Sequence, residues 1–210
     1  PVEANIDGIN QVQVNNKADL TFASALRSIL RQDPDIVMVG EIRDGETAEI
    51  AVKAAQTGHL VLSTLHTNST VETLVRLEQM GVARWMISSA LRLVVAQRLV
   101  RKLCPRCREK KGTESPLPQT IWPRALPHWQ AVGCQHCYHG YLGRAAIFEI
   151  LPLDNALRHA IAAGRGTAEL MQTARLAGMT TLFENGCLAV ERGLTTQEEL
   201  LRVMGAPHGG

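Results

Sequence analysis

The sequence predicts an α/β fold: a parallel sheet flanked by helices, a cysteine-rich module inserted after it, and a small helical subdomain at the C-terminal end. Three observations carry that expectation. Two short apolar runs, Ile36 to Val39 and Leu60 to Leu62, each follow a helical pattern, and uninterrupted runs of this length read as strands buried on both faces of a parallel sheet. Four of the five cysteines fall in two CxxC pairs. Beyond them, apolar positions recur at helical spacing from Asp154 to Met204.

The first helix is expected from about Leu20 to Gln32, with Phe22, Leu26, Ile29 and Leu30 on one face and Asp33-Pro34 ending it. After the first strand, Asp44 is placed to cap a helix that buries Ile50, Ala51, Ala54 and Ala55 and stops at Gly58. The second strand leads to two helices, Thr70 to Met80 and Arg84 to Leu99, split by Gly81. From Cys104 to Gly143 the chain turns to Pro, Gly, Cys and charge, with a loop-like segment from Gly112 to Pro127. A strand from Ala145 to Leu151 then opens the final helical stretch, punctuated by Gly164, Gly166, Gly178 and Gly193. The expected divisions are therefore residues 1–103, 104–143, 144–205 and a tail, 206–210, that frays.

Composition narrows the function. Net charge is +2 and aromatics make up 4% of the 210 residues, so neither a strongly basic nucleic-acid surface nor a row of base-stacking rings is present, and no nucleic acid is expected as partner. No apolar run approaches the roughly 20 residues of a spanning helix, and no charged-then-apolar leader opens the chain. A cytosolic or peripheral protein is expected. Paired cysteines, with Cys187 alone, suggest metal ligation in a reducing compartment more than a disulfide framework. The start at Pro1-Val2-Glu3, without Met, suggests a cut chain.

Four patterns carry chemistry. In Asp35-Ile-Val-Met-Val-Gly-Glu41 a strand delivers a carboxylate just past its C-terminal end, where open α/β sheets bind ligands, so Glu41 is placed to orient a nucleotide's magnesium or an attacking water. A solvated acid leading a helix is the alternative. In Gly58-His59-Leu-Val-Leu-Ser-Thr-Leu-His66 the neighbouring strand brings Ser63, Thr64 and His66 toward the same edge, and His66 there could contact a terminal phosphate. His59 and His66 lie roughly 20 Å apart if the run is extended, so they do not share a site within one subunit. His59 therefore reads as either structural or functional. Arg27 and Arg31, four apart and opposite the apolar stripe, are either solvated charge or phosphate-neutralising groups reaching across a subunit boundary.

The fourth pattern is Cys104-Pro-Arg-Cys107 and Cys134-Gln-His-Cys137, separated by 26 residues. Two such knuckles close a structural four-sulfur zinc site. The long spacer implies a looped insert, and His136 and His139 are spare donors. Seven basic residues from Arg98 to Lys111 face one acid, Glu109; they balance a negatively charged zinc centre or form a surface for a partner or acidic lipid. One decoy is excluded: Gly40 to Thr47 has the glycine spacing of a phosphate loop but carries Glu46 where lysine is needed, and no GxxxxGK[ST] occurs anywhere.

Together these segments resemble the secretion ATPase family, the motors of type II secretion and type IV pilus assembly. The likeness rests on Pro1-Val-Glu3, Ala25 to Asp35, Val39 to Asp44, Thr57 to Thr67, Gln97-Arg-Leu99, the two CxxC pairs and Gly140 to Arg144, which span most of the chain. It implies a RecA-like P-loop ATPase core for residues 1–103, represented by its C-terminal part and lacking the Walker A loop. It also implies ATP and Mg2+ as ligands, structural Zn2+, a homo-hexamer, and an inner-membrane platform as partner on the cytoplasmic side of a bacterium. By position, Glu3 matches the end of the aspartate box and Glu41 the Walker B glutamate, a catalytic pair. His59 and His66 match the histidine box. Arg27 and Arg31 resemble arginines that reach nucleotide in the ring. Cys104, Cys107, Cys134 and Cys137 match a tetracysteine module typical of assembly and secretion motors rather than retraction motors.

The chain departs from the family in a segment after Cys137 one residue shorter than usual and in Ala146, where glycine is common. The expected function is a motor ATPase whose present chain, without Walker A, binds ATP poorly and is inactive alone. The alternative is a zinc-stabilised interaction module without ATPase activity.

Overall fold

The computed structural model describes residues 2–114 and 117–206. Pro1 of the opening match, residues 115 and 116 of the loop-like segment, and 207–210 of the expected tail lie outside the described residues. The chain forms two compact units, Pro1–Val94 with Leu151–Ala177, and Val95–Ile150 with Gly178–Gly210.

In the first unit, α1 (Phe22–Leu30) starts two residues later than expected because Thr21 and Ser24 form a reciprocal cap. The Thr21 hydroxyl accepts from the Ser24 N–H at 3.1 Å, and the Ser24 hydroxyl accepts from the Thr21 N–H at 2.9 Å. Asp33 sits at φ 54° before Pro34, which turns the chain into β1 (Ile36–Val39). That strand pairs in parallel with β2 (Leu60–Ser63), Ile36 opposite Leu60 and Val39 opposite Ser63. Between them runs α2 (Gly45–Gln56), its Asp44 cap accepting from the Thr47 N–H at 2.7 Å. Gly45 admits no side chain, since a Cβ there would lie 2.1 Å from the Met80 carbonyl oxygen.

The strands correct one expectation. Val37 and Val39 are buried, but Ile36 and Met38 are 63% and 74% exposed, and Leu60 and Leu62 are exposed too. Side chains alternate across a strand, and among the described residues only one face of this pair is covered. The helices α3 (Thr70–Gln79), α4 (Arg84–Ala90), α5 (Asn155–Ala162) and α6 (Thr167–Leu176) complete the unit. Its core joins Ala48, Ala51 and Ala54 of α2 to Leu74 and Leu77, Ile87, Leu157, Ile161 and Leu170. Each fully buried Leu or Ile contributes about 1.5–3 kcal/mol. Packing runs from α1 to α2, α2 to α4, α4 to α5, α5 to α6 and α3 to α6.

A second correction concerns the helix expected from Arg84 to Leu99. It ends at Ala90, and β3 (Leu93–Leu103) follows. Burial there alternates at Val94, Ala96, Arg98 and Val100 against the exposed Leu93, Val95, Gln97 and Leu99. That is the strand period, and the valine pair is stiff in a way that favours it.

The remaining elements build the second unit: β4 (Glu109–Glu114), β5 (Leu126–Gln130), β6 (Tyr141–Pro152), α7 (Leu182–Glu191) and α8 (Gln197–Met204). β3 pairs with β6, and β4 pairs antiparallel with β5, so the stretch expected as loop supplies parts of two strands. One core cluster joins Leu117, Trp122 and Leu126 to Cys187, Val190 and Leu200; another joins Val100 and Ile147 to Leu182 and Ala189.

A buried ion cluster locks α8 to β3. Glu199, 1% exposed, accepts from Arg101 Nη2 at 2.6 Å and from Arg202 Nη2 at 2.5 Å. Burial alone would raise its carboxyl, but the hydrogen bonds from Arg202 and Arg101 outweigh it and bring the pKa down to about 2.

Candidate functional site

The loop leaving β1 carries Glu41, and the segment leaving β2 carries His66. Their meeting follows from the register, because Val39 opposes Ser63 and each chain then runs past the same sheet edge. Two backbone-directed bonds hold the loop there. Thr64 Oγ1 donates to the Gly40 carbonyl at 2.6 Å, and the Ile42 N–H donates to the Thr64 carbonyl at 3.0 Å. His66 Nε2 lies 2.9 Å from Glu41 Oε1, and Arg43 Nε donates to Glu41 Oε2 at 2.8 Å. The Arg43 hydrogen bond holds the Glu41 carboxyl below the usual range; partial burial opposes this, and the charges of Arg43 and His66 reinforce it. Glu41 is thus an anion at neutral pH. Arg43 is a residue the sequence pattern does not single out; the available signal was its place two residues after Glu41.

The other residues expected in the site lie elsewhere. His59, at the start of β2, directs Nδ1 at the Pro34 carbonyl at 2.7 Å, so that nitrogen carries the hydrogen. Arg27 pairs with Glu46 of α2 at 2.7 Å. Arg27, Glu46, Glu49, Lys53 and His59 line a cleft of about 440 Å3 between α1 and α2. Arg31 caps the C-terminal end of α1, is exposed and makes no ion pair among the described residues. Glu3 is exposed, and among the described residues no hydrogen bond or ion pair ties it to Glu41. The fold therefore joins Glu41 to His66, and among the described residues no hydrogen bond or ion pair ties Glu3, Arg27, Arg31 or His59 to them.

The four paired cysteines converge in the second unit. Their sulfurs all lie within 4.8 Å of one another, with Cys104 to Cys134 at 3.8 Å, Cys107 to Cys137 at 3.7 Å and Cys134 to Cys137 at 3.7 Å. A tetrahedron with zinc–sulfur bonds of about 2.3 Å has edges of about 3.8 Å, so the donor set fits zinc in both chemistry and spacing. Backbone N–H groups point at the sulfurs, Cys134 N to Cys137 Sγ at 3.2 Å and His136 N to Cys134 Sγ at 3.4 Å. Such bonds fix ligand orientation.

His136 and His139, the spare donors, are not in the cluster. His139 at φ 51° and Gly140 at φ 92° instead make the tight turn joining Tyr138 to Tyr141, whose backbones exchange bonds of 2.9 and 3.0 Å. The basic run is only partly free to balance the centre. Arg101 serves Glu199, while Arg108 bonds the Gly193 carbonyl at 2.5 Å and stacks 4.8 Å from the Trp129 ring centroid.

The chain is 67% identical over 209 residues to the protein transport protein HofB homolog of Escherichia coli (strain K12), covering 100% of this chain and 45% of that protein. It is 50% identical over 210 residues to the type IV pilus assembly ATPase PilB of Thermus thermophilus, covering 96% of this chain and 23% of that one. Among solved structures, the pilus retraction motor PilT with bound ADP is similar with a TM-score of 0.63 at 29% identity, covering 90% of this chain and 45% of that chain. The chain therefore spans less than half the length of these proteins. Among the described residues no helix is long and apolar enough to cross a membrane. The family model for type II/IV secretion system proteins matches residues 1–202, and the chain belongs to that family.

Proposed function

We propose that this chain is the part of a motor ATPase of type II secretion or type IV pilus assembly that carries the Walker B glutamate and the zinc module. The observation that carries the proposal is the Glu41 carboxylate, ionised, presented past the C-terminal end of a parallel strand and met there by His66. This is where α/β sheets bind phosphates. Glu41 would hold magnesium or orient water toward the terminal phosphate, and His66 would contact that phosphate. Magnesium, when bound, neutralises charge developing on the phosphates.

In this reading Glu3 is the second catalytic acid, brought to Glu41 only in the nucleotide-bound ring, and Arg27, Arg31 and His59 act at boundaries between six like subunits. Residues 1–103 form the ATPase part, 104–143 the zinc module and 144–205 the helical subdomain. The motor works on the cytoplasmic side of the inner membrane against a platform protein, without nucleic acid, and the present chain is inactive alone. Changing Glu41→Gln in the full-length protein is expected to abolish ATP hydrolysis. Unchanged turnover would refute the assignment.

A second reading, an interaction module without ATPase activity, is favoured by Tyr138, 80% exposed just after the second zinc knuckle, and by Arg106, exposed within the first. Wild-type full-length protein with zinc bound and no ATPase activity would decide for it.

A further inference from the structure

Both oxygens of the Glu41 carboxylate are held, and the two holders are themselves held unequally. Arg43 donates Nε–H to Oε2 at 2.8 Å, and its guanidinium lies 5.5 Å from the centroid of the Phe22 ring, within the range of a cation–π contact. Phe22 opens α1 and also packs under the loop, since a Cβ on Gly40 would lie 3.8 Å from its ring edge. His66 meets Oε1 at 2.9 Å, but its side chain is 88% exposed and makes no other hydrogen bond or ion pair among the described residues. The Arg43 arm, 58% exposed, rests over an aromatic ring, while the His66 arm hangs in solvent.

From this asymmetry we propose that Arg43 is a positioning residue for the ATPase reaction: it fixes Oε2 of Glu41, so that Oε1 is the oxygen turned toward incoming ligand and His66 is its exchangeable partner. The proposal rests on the ATPase reading and deepens it. A guanidinium forks in a fixed plane, so an Nε–H bond sets the orientation of the carboxylate as well as attracting it. Withdrawal of His66 frees Oε1 without disturbing the stack on Phe22. A lysine at position 43 would keep the charge but lose the planar guanidinium and its fixed Nε–H donor, leaving the carboxylate free to rotate. Orientation of this kind acts on the chemical step more than on nucleotide affinity.

Two measurements test the proposal. On the 210-residue chain labelled with 15N at arginine, the Arg43 Nε–H resonance is expected to be protected from exchange. In Glu41→Ala it is expected to move to the free-arginine position, while backbone amides away from the Gly40 to Arg43 loop stay in place. In the full-length protein, Arg43→Gln is expected to lower kcat for ATP hydrolysis about 10- to 100-fold with KM for ATP within about twofold. Arg43→Lys is expected to recover only part of that loss. An Nε–H resonance indifferent to Glu41→Ala, or wild-type kcat in Arg43→Gln, overturns the positioning role and leaves the ATPase reading standing. A kcat loss accompanied by an equal rise in KM, or by shifts spread through the amide spectrum, marks a structural role and also overturns it. Wild-type full-length protein that hydrolyses no ATP overturns the ATPase reading and the positioning role with it.

Discussion

Replacing Glu199 by glutamine tests how the second unit is held together. The carboxylate side chain is fully buried, between Arg101 and Arg202, whose side chains remain 45% and 59% exposed. Glutamine keeps the shape and one acceptor while removing the charge, and water takes over the solvation of both guanidinium groups. The carboxyl is depressed from 4.5 to about 2 in the folded chain, which is worth about 3 kcal/mol at neutral pH. Because the folded pKa is the lower one, this stabilisation is complete above about pH 4.5 and disappears as pH falls toward 2; at pH 3 about 1.4 kcal/mol of it is left.

The assay is urea unfolding followed by tryptophan fluorescence, because Trp122 and Trp129 lie in or against the core of this unit. The readout is the difference between wild type and Glu199→Gln at each pH, since acid also displaces zinc from thiolates in both proteins. We expect a loss of about 3 kcal/mol at pH 7, shrinking by about half at pH 3. A loss below about 0.5 kcal/mol at pH 7 would place the pair among ordinary surface ion pairs. A loss independent of pH would show that packing, and not charge, is what glutamine disturbs. Either result refutes the argument from buried charge.

Three further outcomes are expected. The purified chain should carry about one zinc by atomic absorption, and Cys134→Ser should lower that content and the urea midpoint together; a folded, metal-free wild-type chain would contradict the structural role of the cluster. Gly45→Ala should cost about 1–3 kcal/mol by thermal melting, because the new methyl meets the Met80 carbonyl, a backbone group without freedom to move away. Gly193→Ala should cost about 1–3 kcal/mol as well, since the position sits at φ 71° and a Cβ would lie 2.6 Å from Arg108 and 2.7 Å from the Trp129 ring; a variant as stable as wild type would show that the Arg108–Trp129 stack yields freely.

Local chemistry made much of the fold legible. Asp44 as a cap, Gly58 and Gly81 at positive φ, and the two CxxC pairs each act within a few residues of chain, and the structure realises them where the sequence puts them. Features that depend on distant chain were harder to read. The stretch from Leu93 to Leu103 joined onto a preceding helical pattern, and only its pairing partner, β6 some forty residues on, decides in favour of a strand. β4 and β5 were hidden for the same reason: Lys, Gly and Pro in a charged stretch read as loop until the two segments meet and exchange backbone bonds. Apolar continuity at Ile36 to Val39 misled about burial because it records which residues the strand is built from, while exposure depends on what else is present to cover them.

The site divides along the same line. Glu41 and His66 were readable because a parallel pair in register carries whatever follows each strand to a common edge, so two short motifs suffice to place two side chains together. Arg43 was not readable, although it stands in the same motif, because its role depends on Phe22, a residue some twenty positions earlier whose ring the first helix happens to turn beneath the loop. A strand ending fixes where a carboxylate is delivered; the direction in which it points is set by neighbours contributed from another element. Glu3 sits at the far limit of this logic. The proposed function gives it the same chemistry as Glu41, yet no strand register links residues 2–14 to β1, and among the described residues no hydrogen bond or ion pair ties its carboxylate to Glu41. In the proposed motor, catalysis by the pair needs Glu3 to be held beside Glu41 by something outside this chain. The ring-dependent ATPase reading predicts that Glu3→Gln leaves the isolated chain's stability unchanged, within about 0.5 kcal/mol, while abolishing turnover in the full-length motor; turnover that survives Glu3→Gln would remove Glu3 from the mechanism and leave Glu41 as its sole acid.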